Sequence, residues 1–171
     1  MRWVALLRAV NLGARNKVPM AQLRTLLEDA GYEGVRTYIA SGNVILDGPA
    51  GRAALGSEIE RIVLDAFGVT TTAILRKPRE LAAAVGAHPF DDSATTHVAF
   101  LAGRPTKAAT ARLEAFASGA VLLGAELYLH LPRGVQGSGL SNTRIESLLD
   151  VPATMRNWRT VVALAELAAE A

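Results

Sequence analysis

The order of apolar runs along the 171 residues predicts an α+β fold made of two similar halves. In the first half, the runs follow the order strand, helix, strand, strand, helix, strand, which is the split βαβ or ferredoxin-like pattern. A second apolar strand, Val98–Leu101, resembles the opening strand Val4–Leu7 and is followed by helix, hairpin and helix in the same order. We therefore expect two ferredoxin-like subdomains, the second incomplete or modified, packed as one compact unit.

The first half is predicted over residues 1–76. Residues 3–7 are a short apolar run flanked by charges, which indicates a buried strand. Pro19 occupies a favourable first helical position, and apolar residues at helical spacing follow it as far as Gly31. The remaining predicted parts are a strand over 35–40, a turn at 41–43, a strand over 44–46, a helix through 59–67 and a strand over 69–75.

A helical linker is predicted over residues 77–95, and the second half is predicted over residues 96–171. Its predicted parts are a strand over 97–102, a helix over 106–117, strands over 121–123 and 127–131, a glycine-rich loop over 132–139 and a helix over 141–149. The apolar spacing near the carboxyl terminus predicts a last helix over 154–169. That helix replaces the fourth strand of the pattern.

Composition excludes several classes of function. Apolar residues make up 50% and charged residues 20% of the chain, as in ordinary folded proteins. The absence of cysteine excludes disulfides, thiolate metal sites and cysteine nucleophiles. The three histidines show no metal-ligand spacing, and no pair of carboxylates is placed for acid–base chemistry. We therefore expect no metal or cofactor, and a non-enzyme in preference to an enzyme.

No stretch of the sequence is long and apolar enough for a membrane helix, and the first residues lack the features of a signal peptide. These observations predict a cytoplasmic protein without a membrane partner.

The loop that follows the first predicted strand combines cations and amides. Asn11, Arg15, Asn16 and Lys17 lie between this strand and the next helix, where backbone N–H groups and the helix dipole favour an anion. The polar residues Ser41 and Asn43 of the hairpin turn are predicted to approach this loop. The alternative is a solvated connection with ordinary turn chemistry.

A second polar group is predicted in the second half. Three glycines in the loop at 132–139 would let a backbone approach a ligand closely, and a helix begins after them. Arginines predicted in the first turn of the last helix oppose the helix dipole, so they need acidic partners or an anionic ligand. The alternative for the glycine-rich loop is a flexible connection between strand and helix. The candidate ligand-binding residues here are Ser138, Asn142, Arg144, Arg156, Asn157 and Arg159.

Three blocks of sequence together resemble the bacterial family called domain of unknown function 1697. They comprise residues 4–20, residues 35–44 and residues 140–158, so the resemblance extends over nearly the whole chain. It implies an α+β fold of two ferredoxin-like subdomains and carries no established activity. This chain departs from the family pattern at Gly139, where members often have lysine, and at Arg159, where members usually have asparagine.

The function best supported by the sequence is non-catalytic binding of an anionic ligand, such as a nucleotide or a nucleic-acid phosphate. One alternative is a protein–protein interaction or self-associating module. Another is a phosphoryl-transfer enzyme, although the sequence shows no obvious carboxylates for its metal. RNA binding through aromatic residues on the inner strands is not expected, because the strand at 44–47 has none.

Overall fold

The computed structural model describes residues 1–49 and 51–170 of the chain. It divides into two compact units. The first unit comprises Met1–Leu81 together with Leu164–Ala171, and the second comprises Ala82–Ala163. The boundary at 81/82 lies within the predicted linker. None of the helices in the described part of the chain is long and apolar enough to cross a membrane.

The first unit contains a four-stranded antiparallel sheet with strand order β2-β3-β1-β4. This order and the two helices between the strands are those of a ferredoxin-like fold. The bounds are β1 Arg2–Leu7, α1 Met20–Asp29, β2 Glu33–Thr37, β3 Asn43–Asp47, α2 Arg52–Phe67 and β4 Ala73–Arg76, followed by α3 Pro78–Gly86.

The core of the first unit lies between one face of this sheet and helices α1 and α2. Alternate residues of β1, namely Trp3, Ala5 and Leu7, belong to the same buried cluster as Leu23 of α1 and Ile59 of α2. Successive side chains of a strand point to opposite faces of the sheet, so this alternation sets which residues meet the helices.

The second unit repeats the architecture with strand order β6-β7-β5-β8. The two sheets also share their register, because Val4 of β1 faces Arg76 and Val98 of β5 faces Arg156. The fold class predicted from the sequence is therefore confirmed. The bounds are β5 Thr96–Leu101, α4 Lys107–Phe116, β6 Ala120–Leu123, β7 Glu126–His130, α5 Gly134–Ser138, α6 Asn142–Leu149 and β8 Ala153–Asn157. Helix α7, Trp158–Ala169, begins in this unit and belongs to the first unit from Leu164 onward.

The prediction that a helix replaces the final strand of the second half is wrong. Residues 153–157 form β8, which pairs with β5, and the helix begins only at Trp158. The strand runs directly into the helix, and the Asn157 side chain accepts a hydrogen bond from the backbone N–H of Thr160 at 2.9 Å. No glycine or proline separates the strand from the helix. Because the apolar residues that follow have helical spacing, the helix was predicted to begin at residue 154 and not at Trp158.

Three smaller predictions also differ from the structure. The strand predicted over 69–75 is observed as β4, which begins only at Ala73 and ends at Arg76. The glycine-rich loop contains a short helix, α5, which glycine content disfavours but does not forbid. The predicted strand at 35–40 ends at Thr37, and Ile39 and Ala40 belong to the following loop. Because isoleucine favours strands, Ile39 led to a predicted strand that continues past Thr37, the last residue of β2.

Candidate functional site: two loops of the first unit

Two loops of the first unit meet at one end of its sheet. Loop 1 comprises residues 8–19 between β1 and α1, and loop 2 comprises residues 38–42 between β2 and β3. The Leu7 N–H donates to the Gly42 carbonyl at 2.8 Å, and the Asn11 amide donates to the Ala40 carbonyl at 2.7 Å. Loop 1 and loop 2, which were predicted from the sequence to approach each other, are therefore in contact in the structure.

The Asn11 side chain forms hydrogen bonds within loop 1 and between loop 1 and loop 2. Its Nδ2 donates to the carbonyls of Val18, at 2.9 Å, and Ala40, and its Oδ1 accepts from the Val18 N–H at 2.8 Å. Asn16 acts similarly, because its Nδ2 donates to the Ala9 carbonyl at 2.8 Å. These amides were predicted to contact a ligand, and the structure uses these groups to hold the loop backbone.

Asn43 holds the base of loop 2. It is fully buried, and its Nδ2 donates to the Tyr38 carbonyl and to the Ser41 hydroxyl oxygen, each at 2.9 Å. Ser41 itself is exposed at the turn. Both residues therefore shape loop 2, with Ser41 on its outer side.

Backbone strain is concentrated in these loops. Of the five non-glycine residues with positive φ in the described part of the chain, four are here: Ala9 at 56°, Asn11 at 53°, Asn16 at 52° and Ile39 at 50°. Asparagine tolerates this left-handed conformation, whereas for a β-branched residue it is a true outlier. For a residue other than glycine, asparagine or aspartate, this conformation costs roughly 1–2 kcal/mol. Such strain is concentrated at functional sites more often than elsewhere.

A cleft of about 480 Å³ opens between loop 1, loop 2 and the start of α1. Apolar side chains form much of its wall, and Lys17 supplies its charge. The lining residues are Asn11, Lys17, Val18, Pro19, Met20, Thr37, Ile39 and Ala40, and none of them carries a carboxylate. Ligand pockets commonly have volumes of roughly 300–1,000 Å³, so the space suits a small molecule.

The charge at this cleft is positive. Arg15 and Lys17 are exposed, and neither side chain makes a hydrogen bond or an ion pair with the described part of the chain. Helix α1 has no acidic residue in its first turn and no side-chain cap at Pro19, so its positive end is not neutralised locally. Two cations and a helix start therefore favour an anion.

The predicted site residues of the second unit are spread over several parts of that unit. Arg156 is buried in β8, where its guanidinium donates to the Thr154 hydroxyl at 2.7 Å and to the Met155 carbonyl at 2.9 Å. Burial lowers the pKa of Arg156 to about 10. The prediction that Arg156 lies in a helical first turn is therefore wrong, since only the exposed Arg159 has that position.

The remaining four residues of this group also contact their own unit, Asn157 through the hydrogen bond that it accepts from Thr160. The Ser138 hydroxyl bonds the Val135 carbonyl and the Leu140 N–H, and the Asn142 amide donates to the Ala153 carbonyl. The Arg144 guanidinium lies over the Phe116 ring, 4.5 Å from its centroid. Whether these residues also bind a ligand stays a prediction.

Residues 1–49 and 51–170 contain no recognisable metal-binding site. No group of three or more His, Asp or Glu side chains there is arranged to hold a metal ion.

Sequence reasoning missed several cleft-lining residues, above all Ile39. It is 52% exposed and has a φ of 50°. No sequence signal marks such a position, because isoleucine ordinarily disfavours positive φ.

Comparisons with known proteins agree with this fold. No curated protein matches the chain. Among solved structures, the conserved bacterial protein SP0830 from Streptococcus pneumoniae is similar, with a TM-score of 0.69 and 23% sequence identity over 98% of each chain. At this identity the similarity supports the fold alone. The family model of "Protein of unknown function (DUF1697)" matches residues 1–126, which include both loops. The chain belongs to the DUF1697 family.

Proposed function

We propose that this protein binds a phosphate-bearing anion in the cleft between loop 1 and loop 2 of its first unit. The observation that carries the proposal is Lys17, exposed and unpaired within the described part of the chain, in the wall of a cleft that has no carboxylate; a second exposed cation, Arg15, lies in the same loop.

The construction of the loops supports the same proposal. Asn11 uses three hydrogen bonds to keep loop 1 in a conformation that contains left-handed residues. A connection that served only to join β1 to α1 would have no need for this strain. Holding the loop in advance reduces the entropy that a ligand must overcome on binding.

A thermal-shift screen tests the proposal. The panel contains nucleotides, sugar phosphates, inorganic polyphosphate, and short RNA and DNA oligomers. A ligand at 100 times its Kd adds about 2.7 kcal/mol of stability. For a chain of this size, each kcal/mol raises the Tm by roughly 2–4 °C. We expect at least one phosphate compound to raise the Tm by several degrees, less so at high salt.

A matched pair of variants locates the site. Lys17→Ala removes a cation of loop 1, whereas Arg104→Ala removes an exposed arginine from residues 102–106, the corresponding connection of the second unit. We expect Lys17→Ala to abolish the shift and Arg104→Ala to preserve it. Equal shifts in both variants would refute the cleft as the site, and a flat panel for the unaltered protein would favour the interaction module.

A further inference from the structure

We infer that the anion bound in this cleft is amphipathic, with an apolar chain or ring next to its phosphate. This inference rests on the proposed function and adds the chemical class of the ligand. The phosphate lies at Lys17, and the apolar group packs against Ile39 and the neighbouring apolar wall.

Ile39 provides the first argument. Its side chain is 52% exposed although it lines the cleft, and its φ of 50° places it in a conformation that isoleucine rarely adopts. The residue therefore has unfavourable backbone geometry without the compensation of full burial. A ligand that covers the side chain supplies the missing burial of apolar surface.

The composition of the wall provides the second argument. Pro19 and Met20 line the cleft beside Ile39 with accessible apolar surface, whereas Val18 is fully buried. The Asn11 side chain is already bonded to Val18 and Ala40. Few uncommitted polar side chains remain in this wall to hydrogen-bond the hydroxyl groups of a sugar. An apolar group fits this surface better than a polyhydroxylated one.

The position of Leu12 provides a third observation. It is 58% exposed in loop 1, so each of the two loops presents one exposed large aliphatic side chain. Both loops are joined by the Asn11–Ala40 hydrogen bond. The two loops therefore present apolar surface as well as the cations of loop 1.

A series of alkyl phosphates tests the inference. Methyl, butyl and hexyl phosphate share one headgroup and differ only in apolar length, and calorimetric titration gives the Kd of each. Each buried methylene is expected to strengthen binding by about three- to fourfold. The heat-capacity change of binding should become more negative with chain length, which marks apolar burial.

Three variants distinguish the anion site itself from the contact with the apolar part of the ligand. Relative to its own affinity for methyl phosphate, Ile39→Ala should lose most of the gain in affinity with chain length. Leu64→Ala, at a residue that is 48% exposed on α2 of the same unit, should keep the full gain. Lys17→Ala should weaken binding of every member of the series.

The outcomes are distinguishable. If affinity is independent of chain length but depends on Lys17, the apolar inference is wrong and the anion site stands. If no alkyl phosphate binds, or if binding does not depend on Lys17, both the apolar inference and the proposed anion site are wrong. A gain with chain length that survives Ile39→Ala would contradict the role of Ile39. The Tm of each variant shows that it is folded.

Discussion

The two units share one architecture and differ in the connections at one end of the sheet. Leu7 N–H bonds the Gly42 carbonyl at 2.8 Å, and Leu101 N–H bonds the Ala125 carbonyl at 2.9 Å in the equivalent place. Yet loop 1 runs from residue 8 to 19, whereas the second unit needs only residues 102–106 to connect β5 to α4. Loop 2 likewise spans 38–42, whereas residues 124–125 join β6 to β7.

The shorter connections show what the fold requires by itself. In the second unit, Thr106 caps α4 by accepting a hydrogen bond from the Ala109 N–H, and Gly124 takes the single left-handed position of the hairpin. Neither connection contains a strained non-glycine residue. The additional length and strain of the first unit are therefore features beyond the fold itself, and they surround the proposed site.

The largest expected effect comes from the two hairpin glycines. A Cβ at Gly42 would lie 2.5 Å from Val10 Cγ2 and 3.0 Å from Leu7 Cβ, at a φ of +87°. At Gly124 the nearest atoms are 4.0 Å away, so only its φ of +66° opposes a side chain. We expect Gly42→Ala to lower the free energy of unfolding by about 3 kcal/mol and Gly124→Ala by about 1 kcal/mol. Urea denaturation measures both, and equal losses would contradict the close packing of loop 2.

The second-largest expected effect on stability is at the side chains that hold loop 1 and the 102–106 connection in place. Asn11→Ala removes three hydrogen bonds between backbone and side chain, at about 1 kcal/mol each. Thr106→Ala removes one helix cap, at about 1 kcal/mol. We expect losses of about 2–3 kcal/mol and about 1 kcal/mol respectively. Phosphate binding should be lost only in Asn11→Ala, and full retention of binding there would show that the loop conformation is not needed.

A smaller effect of opposite sign is expected at Ile39. Ile39→Gly relieves the left-handed strain at a side chain that is already half exposed, so it should raise the free energy of unfolding by about 1 kcal/mol. Ile39→Ala retains a Cβ at positive φ and should gain much less. Denaturant midpoints of the two variants decide this. A destabilised Ile39→Gly protein would mean that the side chain supports the fold.

The smallest expected effect lies at the far end of the first sheet. A hydrogen bond from the Arg2 guanidinium at 2.9 Å lowers the pKa of Asp47 below its ordinary value of 3.8. The stabilisation from this pair is therefore complete above that value and is lost as the pH falls through the lower folded pKa. Asp47→Asn should cost up to about 1 kcal/mol at pH 7 and progressively less below pH 4. A cost that does not change with pH would show that the charge is not responsible.

The sequence predicted most of the architecture because strands and helices of both units follow clear apolar patterns. It failed at β8, since a five-residue strand that continues directly into a helix has no breaker to mark the change. It named the cations and amides of loop 1, but an asparagine that bonds a ligand and one that bonds its own backbone are the same in sequence. The strained Ile39 was unpredictable because its residue type contradicts its conformation.

The most direct test of the central claim compares backbone amide resonances of the two units during a titration with the best phosphate ligand. The amide signals of residues 8–19 and 38–42 should shift with one common Kd, while those of 102–106 and 124–125 should stay in place. Shifts confined to the second unit, or distributed evenly over both, would contradict the assignment of the anion site to the loops of the first unit.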